Sequence, residues 1–225
     1  MTDFQKNKDL VFEQVVQAAQ AANRSKESVN VIAVTKYVDS GVAARLIDTG
    51  IEHIGENRVD SFLDKYEALK DRKLTWHLIG SLQRRKVKNV INLVDYFHAL
   101  DSVKLALEIQ KRAEHPIKCF LQVNISEEES KHGFNVAEID DALAAISACD
   151  KVELVGLMTM APKAASESEL DDIFAKANQL RQELQARQLP HMPFSELSMG
   201  MSGDFKLAIR NGATFVRIGT SFFKN

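Results

Sequence analysis

The chain has 225 residues, 45% hydrophobic and 27% charged, with a formal net charge of −2. These are values of a soluble globular protein, and they exclude the global field that draws nucleic acid or acidic membranes. The start "MTDFQKNKDL" lacks an apolar signal core, and no apolar run approaches the roughly 18 residues of a membrane span. The expectation is a cytoplasmic protein with no membrane and no nucleic-acid partner. Cys119 and Cys149 lie in apolar segments and read as buried free thiols in a reduced compartment. Ten glycines and four prolines leave no visible linker, so residues 1–225 read as one domain.

In chain order, an amphipathic stretch from Phe4 to Ala22 predicts a leading helix. Eight β-rich runs follow: "VIAVT" from Val31, "EHIG" from Glu52, "LTWHLIG" from Leu74, "YFHAL" from Tyr96, "IKCFLQVNI" from Ile117, "VELVGLMTM" from Val152, "FSELSM" from Phe194 and "ATFVRIG" from Ala213. Segments of helical spacing separate them. The longest carries Leu170, Ile173, Phe174, Ala177, Leu180 and Leu184 at intervals of three and four, which puts them on one face. Strict alternation implies parallel strands with right-handed crossovers. Eight units, without a glycine-rich dinucleotide loop after the first strand, predict a single α/β (β/α)8 barrel of the TIM type with an extra N-terminal helix. An open doubly wound sheet is the alternative.

Barrel chemistry sits where the strands end. Those ends read Lys36, then Glu56 and Asn57, His77 and Ser81, Asp101, Asn124 and Ser126, Met158 to Met160, "SMGMSGD" from Ser198, and "RIGTS" from Arg217. The last two combine glycines with hydroxyls. Barrels often hold a phosphate between these loops, and Gly200, Gly203 and Gly219 let backbone amides approach an anion. Ser202 and Asp204 are also placed to open the helix "DFKLAIRNG", whose N-terminus favours negative charge, so Ser202 reads equally well as a plain helix cap.

Lys36 ends the first strand. A free lysine amine has a pKa near 10.4 and is a poor nucleophile at neutral pH. Partial desolvation and a neighbouring cation lower that value and free the amine to form an imine. An aldehyde that also bears a phosphate is pyridoxal 5′-phosphate (PLP).

The segments "VIAVTKYV", "GENR", "WHLIGSLQRRKVK", "LVGLMTMAP" and "LSMGMSGDFKLAIRNGATFVRIGT" resemble the PLP homeostasis proteins, also called the YggS or PROSC family. That family is in turn similar to the N-terminal barrel domain of alanine racemase. The resemblance spans essentially the whole chain. It implies that Lys36 carries PLP as an internal aldimine, that the phosphate rests on the Ser202 region with Gly219 and Thr220, and that Met201 is also cofactor-binding. It implies that Arg217 faces the pyridine nitrogen and that Asn57 and His77 flank the ring. A guanidinium stays charged and leaves the ring nitrogen unprotonated, which weakens the electron sink. The chain departs from the usual family ending near "IFG", reading "SFFKN".

The remaining features read plainly. His53 and His77 lie in apolar strands, as satisfied core or ring-facing histidines rather than metal ligands. Trp76 reads as packing, and Met158 and Met160 as floor or rim. The run Gln83 to Lys88 reads as a solvated helix face, and Ser126 to Lys131 as a surface loop or part of a lid.

Two functions compete. One is a non-catalytic, monomeric PLP carrier in vitamin B6 homeostasis, with PLP-dependent apo-enzymes as possible recipients. The other is a PLP-dependent amino-acid racemase, which needs an acid or base on each face of the ring. Lys36 serves one face, and none of Tyr37, Tyr66 and Tyr96 is placed like the second base. The carrier is the expectation. An adaptor using the barrel as a scaffold is a third idea.

Overall fold

The computed structural model describes residues 2–127, 132–162 and 164–224. Its centre is a closed barrel of eight strands in sequence order. These are β1 (Asn30–Val34), β2 (His53–Glu56), β3 (Thr75–Leu78), β4 (Tyr96–Leu100), β5 (Ile117–Gln122), β6 (Val152–Met158), β7 (Glu196–Met201) and β8 (Phe215–Ile218). Every neighbouring pair is parallel, and β8 closes on β1 with Ile32 opposite Arg217. The open-sheet alternative is therefore set aside. The strands are buried almost throughout, as parallel strands covered on both faces must be.

The helices are α1 (Phe4–Ala21), α2 (Ser40–Ile47), α3 (Val59–Leu69), α4 (Val87–Val90), α5 (Val103–Arg112), α6 (Ile139–Ile146), α7 (Glu167–Ala186) and α8 (Phe205–Arg210). Their starts follow local capping chemistry. Asp3, Asp39 and Ser102 each accept an amide of the first turn, and Ser166 forms a capping box with Glu169. In α7 the expected face is the buried one: Ile173, Phe174, Ala177 and Leu184 enter the core, with Leu170 and Leu180 packed at its edge.

The leading helix is more than an addition. After β8 the described chain forms only a 3₁₀ turn, Thr220–Phe222. Helix α1 packs against that turn, α8 and α2, taking the place of the eighth outer helix. Asn7 Nδ2 donates to the carbonyls of Phe222 (3.1 Å) and Lys224 (2.8 Å), tying α1 to the chain end.

The basic run forms a 3₁₀ turn (Arg84–Lys86) and α4, with Val87 and Val90 buried and Arg84 and Arg85 exposed, as a solvated face should be. Lys86 pairs with Asp60 at 2.9 Å. Trp76 packs between Phe62 and Tyr66. Cys119 and Cys149 are buried free thiols, and burial raises the pKa of both. Of the segment Ser126 to Lys131, residues 128–131 lie outside the described residues. No helix among the described residues is long and apolar enough to cross a membrane.

Candidate functional site

The C-terminal ends of the strands surround a hollow of about 820 Å3. That lies within the roughly 300–1,000 Å3 of small-molecule sites. A second hollow, of about 720 Å3, runs along α7 and is lined by Glu127, Glu169, Asp172 and Glu183, so it suits an anion poorly. Lys36, Asn57, Met201, Ser202, Arg217, Gly219 and Thr220 all line the mouth hollow. Val34, Ile79, Ala99 and Phe223 give it apolar walls, and Met160 stands at its rim.

His77 is not among these lining residues, which corrects its expected place beside a ring. Its side chain is fully buried inside the barrel, between His53 and His98. It is two residues further down its strand than the mouth residue Ile79. Its buried ring contacts fit the core-histidine reading, and among the described residues no group of three or more His, Cys, Asp or Glu is arranged to hold a metal ion.

The two cations of the mouth are held differently. Lys36 follows β1 on an exposed turn, its Nζ 4.8 Å from the centre of the exposed Tyr37 ring. Among the described residues the Lys36 side chain remains exposed at the edge of the hollow. Arg217, in β8, is buried. Nη1 donates to Ser198 Oγ at 2.6 Å and Nη2 to the Thr159 carbonyl at 3.0 Å. Burial pushes its pKa down to about 10, against the pull of Asp204. It is still charged at neutral pH.

Ser202 is not a helix cap. The N-cap position of α8 is Asp204, which makes no side-chain bond to the helix; its carboxylate accepts the preceding Met201 amide at 2.6 Å. Ser202 Oγ instead accepts the Gly219 amide at 3.2 Å, joining the loops after β7 and β8. A Cβ built on Gly203 would meet nothing within 4 Å, so a ligand can come directly against that backbone. Gly219 lies close to β1, where an added Cβ would press on the Val34 carbonyl at 3.3 Å. Backbone amides, the hydroxyls of Ser202 and Thr220, a fixed guanidinium and a primary amine thus share one hollow. This donor set fits a phosphorylated aldehyde.

Beneath Lys36 and Asn57 lies a buried brace. Glu56 Oε1 accepts the Thr35 hydroxyl at 2.6 Å and the Lys65 ammonium at 2.6 Å, and all three residues are buried. Glu56 Oε2 has no hydrogen-bond partner among the described residues. The brace fixes the residues preceding Lys36 and Asn57 to each other and to α3.

Several residues of this region were missed by motif reading. Arg58, Gln122 and His132 also line the mouth, beside Ser81, which was read as a strand end. Gln122 Nε2 donates to the His132 carbonyl at 3.2 Å, holding that loop at the rim. Arg58 sits inside the quoted "GENR", so its signal was present. His132 follows β5 by ten residues and gave no signal. His98 was read only as part of a strand, and Ser198 only as the start of the seventh strand's end.

Comparison with known proteins agrees with this architecture. Residues 13–225 match the family described as "Alanine racemase, N-terminal domain". The chain belongs to that family, and within it to the pyridoxal phosphate homeostasis proteins. It is similar to the Aquifex aeolicus protein of that name, with 40% identity over 219 residues covering 95% of this chain and 94% of the other. The structure of PipY from Synechococcus elongatus with PLP bound superposes with a TM-score of 0.82 at 33% identity, covering 94% of this chain and all of that one. Alanine racemase from Corynebacterium glutamicum shares the fold, with a TM-score of 0.68 at 16% identity over 96% of this chain and 61% of its own.

Proposed function

We propose that this protein binds PLP at the barrel mouth through Lys36 and holds it without turnover of its own. It acts as a cytoplasmic, monomeric carrier in vitamin B6 homeostasis, with PLP-dependent apo-enzymes as recipients. The observation that carries the reading is the single hollow shared by Lys36, Arg217 and the loops after β7 and β8. The PLP-bound PipY relative supports the same cofactor.

When bound, the cofactor supplies an aldehyde, with which a lysine amine condenses with loss of water, and a pyridine ring. Lys36 is the amine. Ser202, Gly203, Gly219 and Thr220 hold the phosphate, Met201 and Asn57 border the ring, and Arg217 donates towards the ring nitrogen. The guanidinium keeps its proton at pH 7 and leaves that nitrogen a weak electron sink. The tyrosines offer no opposing base. Tyr37 lies beside the Lys36 amine, Tyr66 packs on Trp76, and Tyr96 stacks on His77 with centroids 4.9 Å apart.

One observation favours the racemase reading: His132, a residue with a titratable ring, lines the same hollow. Incubating the PLP-loaded protein with L-alanine in deuterated water separates the two. A carrier gives α-deuteration no faster than free PLP. Rapid deuteration with build-up of the D-isomer, lost in both Lys36→Ala and His132→Ala, would establish the enzyme instead.

A further inference from the structure

A line of polar side chains crosses the interior of the barrel, where bulky branched residues are usual. It begins at the first residue of β2, the half-buried His53. His53 Nδ1 lies 2.9 Å from His77 Nε2, His77 Nδ1 lies 2.9 Å from His98 Nε2, and His98 Nδ1 lies 2.9 Å from Ser198 Oγ. Ser198 Oγ accepts Arg217 Nη1 at 2.6 Å. His77, His98 and Ser198 are fully buried, packed among Tyr96, Phe120 and Phe215. Four strands, β2, β3, β4 and β7, therefore contribute to one chain that ends on the guanidinium of the mouth.

The direction of this chain follows from its two upper members. A guanidinium only donates, so Ser198 Oγ accepts from Arg217. The hydroxyl has one proton of its own, and that proton needs an acceptor because the group is buried. Arg217 offers none, whereas His98 Nδ1 is in place. His98 Nδ1 is then unprotonated and Nε2 carries the hydrogen, which it donates to His77 Nδ1. The same step repeats from His77 Nε2 to His53 Nδ1. The reverse direction would put a hydrogen on all three Nδ1 atoms and strand the Ser198 hydroxyl proton. Burial supports neutral rings: it pushes the pKa of His77 and His98 well below the ordinary imidazole range, and neighbouring histidines, together with Arg217 for His98, press the same way.

We propose that Ser198, His98, His77 and His53 are positioning residues for Arg217, forming one hydrogen-bond chain whose donors all point away from it, with each imidazole in the Nε2–H form. The chain anchors Nη1 from below, while the Thr159 carbonyl anchors Nη2. The guanidinium is thereby presented to the mouth with its orientation set before any ligand arrives. The effect on ligand retention rests on the PLP reading above; the tautomers do not.

The test is nitrogen-15 NMR of the ligand-free protein, with histidine labelled and assigned through the backbone, at pH 7. His53, His77 and His98 are expected to show a protonated Nε2 and a bare Nδ1. A protonated Nδ1 on His98, or an imidazolium at His77 or His98, overturns the proposal. In Ser198→Ala, His98 should acquire Nδ1–H character and PLP binding should weaken about tenfold, as loss of a hydrogen bond to a charged group does. Ser198→Thr, which keeps the hydroxyl, should restore both. Unchanged tautomers and unchanged PLP affinity in Ser198→Ala would reduce the serine to packing and overturn the positioning role. Expected tautomers in a protein that retains no PLP would sink the cofactor reading and leave the chain standing.

Discussion

Lys36 and Arg217 face the same hollow from neighbouring strands, yet one is exposed on a turn and the other is buried and doubly anchored. The difference matches the roles proposed for each. An amine that forms and breaks a bond needs freedom to approach a carbon atom. A charge that sets the electronic character of a ring needs a fixed place. Mobility is supplied by surface backbone, and fixity by buried polar partners, each of which costs desolvation and must be fully satisfied.

That contrast is sharpened most strongly by attacking the buried side. Lys65→Ala removes the cation that neutralises Glu56 and leaves a buried carboxylate without its counter-charge. The expected loss is about 3–5 kcal/mol of unfolding free energy, read by denaturant titration. A loss below about 1 kcal/mol would show that the brace is not needed.

The next effect comes from pH. His77 and His98 have folded-state pKa values depressed below the unfolded value. Below about pH 6.5 the unfolded chain therefore binds more protons than the folded one, and stability falls as pH falls. Each group contributes about 1.4 kcal/mol per pH unit within the window between its two pKa values. The denaturation midpoint should thus decline from pH 7 to pH 5. A flat profile over that range would mean the rings are not held neutral.

Ser202→Ala probes the loop between the two cations. Loss of a hydrogen bond to a charged phosphate should weaken PLP binding by about 1.5–3 kcal/mol, one to two decades, measured by absorbance titration. Stability should fall less, because among the described residues Oγ serves only to accept the Gly219 amide. Unchanged affinity would confine Ser202 to joining the two loops. The smallest effect is expected from Lys36→Ala, which should alter unfolding free energy by no more than about 0.5 kcal/mol, as exposed substitutions do. A larger loss would place Lys36 in the structural framework.

The barrel and most of its mouth were legible in the sequence because strand ends are local features. "YFHAL" is β4 as read, and Lys36, Asn57 and the Ser202 to Thr220 loops follow their strands directly. "LTWHLIG" was read too long: β3 ends at Leu78, and although the Ile79 amide still donates to the Glu56 carbonyl at 2.8 Å, Ile79 and Gly80 already line the hollow. His77 was misplaced for a related reason: one strand does not reveal the height of its side chains within the barrel. The partnership of His98 with Ser198 joins residues 100 positions apart across the interior, and no local pattern announces it. Nor does local spacing show that α1 fills the place of the eighth helix.

The most direct test of the central claim is borohydride reduction of the PLP-loaded protein followed by peptide mapping. The account requires a pyridoxyl group on Lys36 in the native protein and no lysine label at the mouth in Lys36→Ala. Modification of another lysine with Lys36 untouched would contradict it.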